Sequence, residues 1–398
     1  MKKTWVNIPD VLFFQEGPGV RNTQYTTEGV KLLNVANLVD GKVDLSTSDR
    51  YISEEEAYGK YKHFLCDEGD FIVASSGIKV EYIDKKMGFI DEPMLPLCMN
   101  TSTIRFKVLD ENKLHIRYFM YYLKSQHFKR QLAREITGSA QLNYGPSHLK
   151  KMKVPLVDIS DQERIVNKMD KVQNVVDMRR LELIHLDDLI KARFVELFGN
   201  PEINDMNWDE HKLSDELSVI GGYAFKSDSF QENGIPVLRI GNINAGVFRP
   251  INLVFWKKDD TLFKYLMYPG DLVMSLTGTV GKDDYGNVCI LGSEYEMYYL
   301  NQRNAKLELK DGLDKYYLAE LLKFPQIKKR LTGISRGVRQ ANISNKDILD
   351  LSVPISPMKL QQQFADFVTQ VDKSKVAVQK ALDETQMLFD SLMQKYFG

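Results

Sequence analysis

DQERIVNKMDKVQNVVDMRRLELIHLDDLIKARFVELFG (161–199) decides the fold, because the chain carries a second stretch of the same kind, LQQQFADFVTQVDKSKVAVQKALDETQMLFDSLMQKYFG (360–398). Stepping alternately by four and three gives Ile165, Met169, Val172, Val176, Arg179, Leu183, Leu186, Ile190, Arg193 and Leu197, eight of ten apolar. The same row moved by 199 gives Phe364, Val368, Val371, Lys375, Val378, Leu382, Thr385, Phe389, Leu392 and Tyr396, again eight of ten. A mean spacing of 3.5 held over about five heptads predicts long helices with one apolar seam. No Pro or Gly interrupts either run. At 1.5 Å per residue, a helix over 160–198 is about 58 Å long and must cover its seam. Two core helices of a compact domain would do so. The recurrence favours an antiparallel coiled coil of the two copies, as a pseudo-two-fold axis would require.

Outward from these helices, the chain repeats. Half of 398 is 199, and the halves end Phe198-Gly199 and Phe397-Gly398. Residues 114–146 against 313–345 give nine identities in 33 without a gap, among them Leu114/Leu313, Tyr118/Tyr317, Gly138/Gly337, Gln141/Gln340 and Asn143/Asn342. Val154-Pro155 matches Val353-Pro354. Upstream the offset drifts, as loop insertions make it: Gly69-Asp70 matches Gly270-Asp271 at 201, Trp5 matches Trp208 at 203, and GVKLLNVANLVDGKV (29–43) resembles GIPVLRIGNINAGVF (234–248) at 205. The period is too long for a solenoid and reads as a duplicated module. Short β-rich runs such as KLLNVANL and DFIVASS, set between glycines and polar turns, precede each helical part. The expected fold class is α+β, with β-rich modules over 1–155 and 201–354 and long helices over 156–200 and 355–398.

Composition excludes several classes. Lys+Arg is 53 and Asp+Glu 54, a net charge of −1, so nucleic-acid contact must come from local patches. No apolar run reaches the roughly 18 residues of a membrane span, and MKKTWVNIPD lacks the apolar core of a secretory signal. Cys66, Cys98 and Cys289 are scattered and odd in number, which fits reduced thiols and a cytoplasmic setting. The six histidines form neither HExxH nor a Cys/His cluster with metal spacing. GTVGKD (278–283) lacks the first glycine of a phosphate loop, and Asp283 stands where Ser or Thr should follow Lys282. Glu308-Leu309-Lys310 has a nuclease-like spacing, but the first copy lacks it. No glycine-rich dinucleotide or S-adenosylmethionine loop and no NPPF or DPPY motif occurs, so the chain reads as a non-enzyme.

Charge is unevenly spread. Residues 113–153 hold nine cations and one acid, Glu135, for +8; residues 315–346 hold eight and one, Glu320, for +7. Either stretch alone is an ordinary solvated helix face, but recurrence in register points to two phosphate-binding faces. Each basic helix runs into a glycine loop, TGSAQLNYG (137–145) and SRGVRQANIS (335–344). A second pair follows the Gly-Asp turns, ASSGIK (74–79) and SLTGTVGK (275–282), and a third opens the modules, EGPGVR (16–21) and GGYAFKS (221–227). Gln, Asn and Arg are side chains that read base edges in the major groove. Three such loops per module are expected to gather on one side of a small β-domain, although any one alone reads as a turn.

These segments together resemble the DNA-specificity subunits of type I restriction–modification systems. The resemblance covers essentially the whole chain and rests on EGPGVR, GVKLLNVANLVDG, GDFIVASSG, TGSAQLNYGPSHLKKMKVPL, QERIV and LFG in the first copy. In the second it rests on GGYAFKSDSF, GIPVLRIGNI, GDLVMSLTGTVGK, SRGVRQANIS and the VPI-to-YFG helix. The second helix starts LQQQFAD where the first has QERIVNK, and TGSAQLNYG lacks the arginines of SRGVRQANIS, so the two domains should read different bases. The resemblance implies two target-recognition domains, a helix pair that sets the spacer, and an asymmetric bipartite site in double-stranded DNA. It further implies two methylation subunits with S-adenosylmethionine docked on the helices, and a restriction subunit using ATP and Mg. On this reading Arg21, Ser76, Lys79, Ser139, Gln141 and Asn143 read bases in the first domain. Tyr223, Lys226, Thr277, Thr279, Lys282, Arg336, Arg339 and Gln340 do so in the second. Gly138 and Gly337 permit the loop shapes, and Lys129, Arg130, Lys328, Lys329 and Arg330 hold phosphates. The alternatives are a specificity subunit whose partner fuses methylase and nuclease, a coiled-coil scaffold without a DNA role, and an enzyme with an unfamiliar motif.

Overall fold

The fold is described from a computed structural model, over residues 3–136, 143–243, 245–282, 284–333 and 340–398. The chain divides into two compact units, one of residues 1–179 and 381–398 and a second of residues 180–380. Each unit therefore holds one β-rich module and pieces of both long helices.

In the first unit, Leu12–Glu16, Thr103–Val108, Phe71–Ala74 and Met87–Phe89 form a four-stranded sheet in that spatial order, antiparallel throughout. Phe71–Ala74 is buried on both faces, which is why it reads as a continuous apolar run and not as an alternation. A smaller sheet sets Val30–Leu33 parallel to Leu97–Met99 and antiparallel to Tyr51–Ile52. The second unit repeats this plan. Leu217–Gly221, Asn304–Leu309, Leu272–Ser275 and Val288–Ile290 form its antiparallel sheet, and Ile235–Leu238 lies parallel to Tyr298–Leu300. In both units a two-stranded ribbon joins the start of the module to its end: Thr4–Asn7 with Lys153–Leu156, and Glu210–Lys212 with Ser352–Pro354. Val154-Pro155 and Val353-Pro354 thus sit on ribbons next to the helix starts, where a proline costs no inner ladder bond.

The two 40-residue helices are Ile159–Phe198 and Met358–Phe397. In the first unit, the side chains of Ile165, Met169, Val172, Phe389, Leu392 and Tyr396 share one core with the module. Leu186, Ile190, Leu197, Phe364, Val368 and Val371 share the core of the second. There the segments run antiparallel: Asp187 pairs with Lys375 at 2.5 Å, Arg193 lies over the ring of Phe367 at 5.7 Å, and Phe198 packs on Phe364 at 5.6 Å. Val176 and Val378 are buried, and Leu183 and Leu382 are half-buried.

The helix ends also bury a face outside that row. Phe194 and Phe198 enter the second core, and Phe397 enters the first, 5.0 Å from Tyr118. The buried Gln162 and Gln361 hold equivalent helix starts to their modules. Gln162 accepts from the His115 N–H at 3.0 Å, and Gln361 accepts from the Asp314 N–H at 2.8 Å. Among the described residues, no helix is long and apolar enough to cross a membrane.

Candidate nucleic-acid interface

In each unit the strand after the Gly-Asp turn delivers its loop to the segment that follows the basic helix. Gly69 and Gly270 take positive φ (+80° and +88°), which allows the tight turns before Phe71–Ala74 and Leu272–Ser275. In the first unit the Tyr144 N–H donates to Ser75 O at 2.9 Å, and Ser76 forms a β-bridge with Asn143. In the second the Ile343 N–H donates to Leu276 O at 2.8 Å, and Thr277–Thr279 pairs with Gln340–Asn342. Tyr144 and Ile343 are buried, so each juncture is plugged into its core.

The third loop joins both junctures. Glu16 lies against Gly145, and Gly221 against Asn345, the residue that follows the loop of 335–344. The next glycines, Gly17 and Gly222, approach the carbonyls of Asn100 and Asn301 so closely that a Cβ would collide with them. The described parts of the three predicted loops therefore meet within each unit.

The hydroxyl side chains here have partners. Ser76 Oγ donates to Ser102 Oγ at 2.6 Å, and Thr277 Oγ1 donates to Asn342 Oδ1 at 3.0 Å. The Thr279 N–H and O–H donate to Asp284 at 2.8 and 3.0 Å. Those two bonds, the backbone one foremost, hold the Asp284 carboxyl below its usual range. Arg21, Lys79, Asn143, Lys226 and Lys282 are exposed. Tyr223 is 38 % exposed beside Phe225 and Tyr265.

Two cations assigned to phosphates are otherwise occupied. Lys129 Nζ is 2.8 Å from both Asp84 Oδ1 and Glu81 O. Lys328 is buried, with Nζ 2.6 Å from Asn287 Oδ1. In this structure both ammonium groups are thus tied into their own fold. Arg130 and Lys329 are exposed, and Arg330, also exposed, gives one N–H to Ser352 O at 3.2 Å. Gly138, Ser139, Gln141, Arg336, Gly337 and Arg339 lie outside the described residues. Gln340 is described through its backbone, in the strand opposite Thr279.

The sequence reading missed a basic aromatic recess next to Lys79. Val39, Ile78, Lys79, Tyr82, Lys85 and Lys86 line a cavity of about 420 Å³. Tyr82 is exposed there, with Lys85 Nζ 5.8 Å from its ring centre. The signal was present in KVEYIDKK (79–86), where the 3-10 helix Val80–Lys85 carries Tyr82 and Lys85 and is flanked by Lys79 and Lys86. Glu308-Leu309-Lys310 has a structural account: Glu308 pairs with Lys306, and Lys310 donates to Ser214 O and Asp215 O. Among the described residues, no three His, Cys, Asp or Glu side chains gather as a metal site.

Comparison with known proteins follows the same division. A sequence model of the type I restriction modification DNA specificity domain matches residues 24–185 and again 206–385. The type I restriction enzyme MjaVIII specificity subunit of Methanocaldococcus jannaschii is 24% identical over 351 residues, spanning 80% of this chain and 78% of that protein. The EcoKI specificity subunit of Escherichia coli K12 is 21% identical over 387 residues, spanning 92% and 81%. The crystal structure of the S subunit from M. genitalium superposes with a TM-score of 0.56 at 18% identity, over 100% of this chain and 96% of that one. A chain from a structural study of type I R-M complex assembly and conformational transition superposes at 0.51 and 16% identity, over 99% and 97%. At such identities the two structures speak for the fold, and the family match speaks for the lineage. The chain belongs to the type I restriction–modification DNA specificity family, whose domain it carries twice.

Proposed function

We propose that this chain gives a methylation and restriction complex its address and leaves the chemistry to its partners. Each unit reads one half of a bipartite site through its loop juncture, and the long helices fix the spacer. The observation that carries this is the repetition of one juncture with different side chains. Ser76, Ile78 and Lys79 stand where Thr277, Thr279 and Val280 stand in the second unit. Equal frames with unequal reading groups fit an asymmetric site.

Exposed Arg130, Lys329 and Arg330 supply phosphate contacts that orient the duplex without carrying sequence information. Two methylation subunits dock on the helices, bring S-adenosylmethionine, and flip the target base out of the stack. A restriction subunit brings ATP and Mg. The complex works in the cytoplasm. Mapping methylated bases by long-read sequencing, in a host that expresses the chain with its modification subunit, tests the whole reading. A bipartite motif supports it, and exchanging residues 1–155 for a relative's module should then change one half only. A contiguous motif, or change in both halves, refutes it.

A further inference from the structure

The two junctures differ most where the loop turns outward. In the first unit, Gly77 is followed by Ile78, half-buried and packed on the cores. In the second, Gly278 is followed by Thr279, exposed at the end of the Thr277–Thr279 strand. Thr279 donates both of its protons to one carboxylate: N–H to Asp284 Oδ1 at 2.8 Å, and O–H to Asp284 Oδ2 at 3.0 Å.

The surrounding chain is built for that approach. A Cβ on residue 278 would collide with Asp284 Oδ1 and lie 2.8 Å from Tyr285 side-chain carbons, so glycine leaves the room. Tyr285 is buried and donates its hydroxyl to Thr332 O at 2.8 Å, which anchors Asp284 from its other side. Asp284 is held below the ordinary carboxylate range by the same bonds and is ionised at neutral pH. It has no proton to give, so the threonine must be the donor.

A hydroxyl has one donor and two acceptor lone pairs. With its proton committed to Asp284, Thr279 presents only acceptors to a duplex. In the major groove adenine N6 and cytosine N4 are amino donors, whereas guanine O6 and thymine O4 are acceptors. We propose that Thr279 is a specificity-determining residue of the second half-site, accepting a hydrogen bond from the amino group of adenine or cytosine on the contacted strand. Guanine and thymine are rejected because acceptor would face acceptor. Asp284 is a positioning residue that acts through Thr279. The inference rests on the reading of the chain as a DNA-specificity subunit.

The test uses the full chain assembled with its modification subunit. The methylation motif is mapped first. Anisotropy titrations then follow on duplexes carrying each base pair at each position of the second half-site. Wild type should favour adenine or cytosine at one position by about five- to tenfold, the worth of one net hydrogen bond. Thr279→Val should erase that preference alone, and Thr279→Ser should keep it. Asp284→Asn supplies an amide donor to the threonine oxygen and frees its proton outward, so the preference should shift toward guanine or thymine. Retention of every preference in Thr279→Val, or equal weakening on all duplexes, overturns the inference and leaves the family reading intact. An unchanged adenine or cytosine preference in Asp284→Asn also overturns it. A wild-type complex that selects no bipartite motif overturns both.

Discussion

Replacing Phe194 by alanine removes a ring that the first long helix lends to the second unit. Phe194 is fully buried, with ring centres of Phe198, Tyr317, Phe324 and Phe364 at 4.8, 5.3, 5.3 and 5.4 Å. A buried Phe→Ala change costs about 3–5 kcal/mol through lost transfer energy and the cavity left behind. Four aromatic neighbours, each pair worth about 0.5–1.5 kcal/mol beyond area, place this site in the upper part of that range. Amide exchange reads the loss locally. A cost of about 4 kcal/mol should speed global-opening exchange in Leu272–Ser275 and Asn304–Leu309 by about a thousandfold. Phe71–Ala74 in the first unit should keep its rate. Ile184→Ala on the same helix, 57% exposed, serves as the control and should change stability by no more than about 0.5 kcal/mol. An acceleration below about tenfold in the second unit, or equal acceleration in both units, would refute the assignment of this helix end to that core.

Three further outcomes are expected. Seven residues inserted into each long helix add about 10.5 Å, or about three base pairs of B-DNA, so the spacer in the methylation motif should lengthen by about three; an unchanged spacer removes the ruler role. Arg130→Ala should weaken binding alike on all DNA sequences and reduce the slope of log K against log salt by about 0.9. Lys129→Ala, which breaks the pair with Asp84, should leave that slope alone and lower the urea midpoint. Burial pushes the Cys98 and Cys289 thiols up to about 12, and burial helped by the Asp70 charge pushes Cys66 up as well. A thiol-reactive dye at pH 8 should therefore find none of these three in the native chain and all three in urea.

The seam was legible because helical periodicity is a local property: Ile165 to Tyr396 could be read by counting. Phe194, Phe198 and Phe397 were not, because a row at 3.5 spacing follows one face and these rings bury another. The small sheets were hidden for a different reason. Val30–Leu33 pairs in parallel with Leu97–Met99, and Thr277–Thr279 pairs antiparallel with Gln340–Asn342; in both cases the partners are far apart in the chain and no turn signal links them. The candidate interface was legible as loops and not as atoms. Summed charge pointed to the basic helices, but a sum cannot show that Asp84 takes Lys129 or that Asn287 takes Lys328. Nor could spacing show that Asp284 returns to Thr279.

Tyr118 and Tyr122 belong to the core that Phe389, Tyr396 and Phe397 complete. A ribosome adding about 5–20 residues per second needs roughly 11–44 s to travel from Met169 to Phe389. For that interval the early part of the nascent chain carries an aromatic surface with nothing to cover it. Synthesis speed and chaperone supply therefore bear on this protein's yield in a way that its finished stability does not reveal.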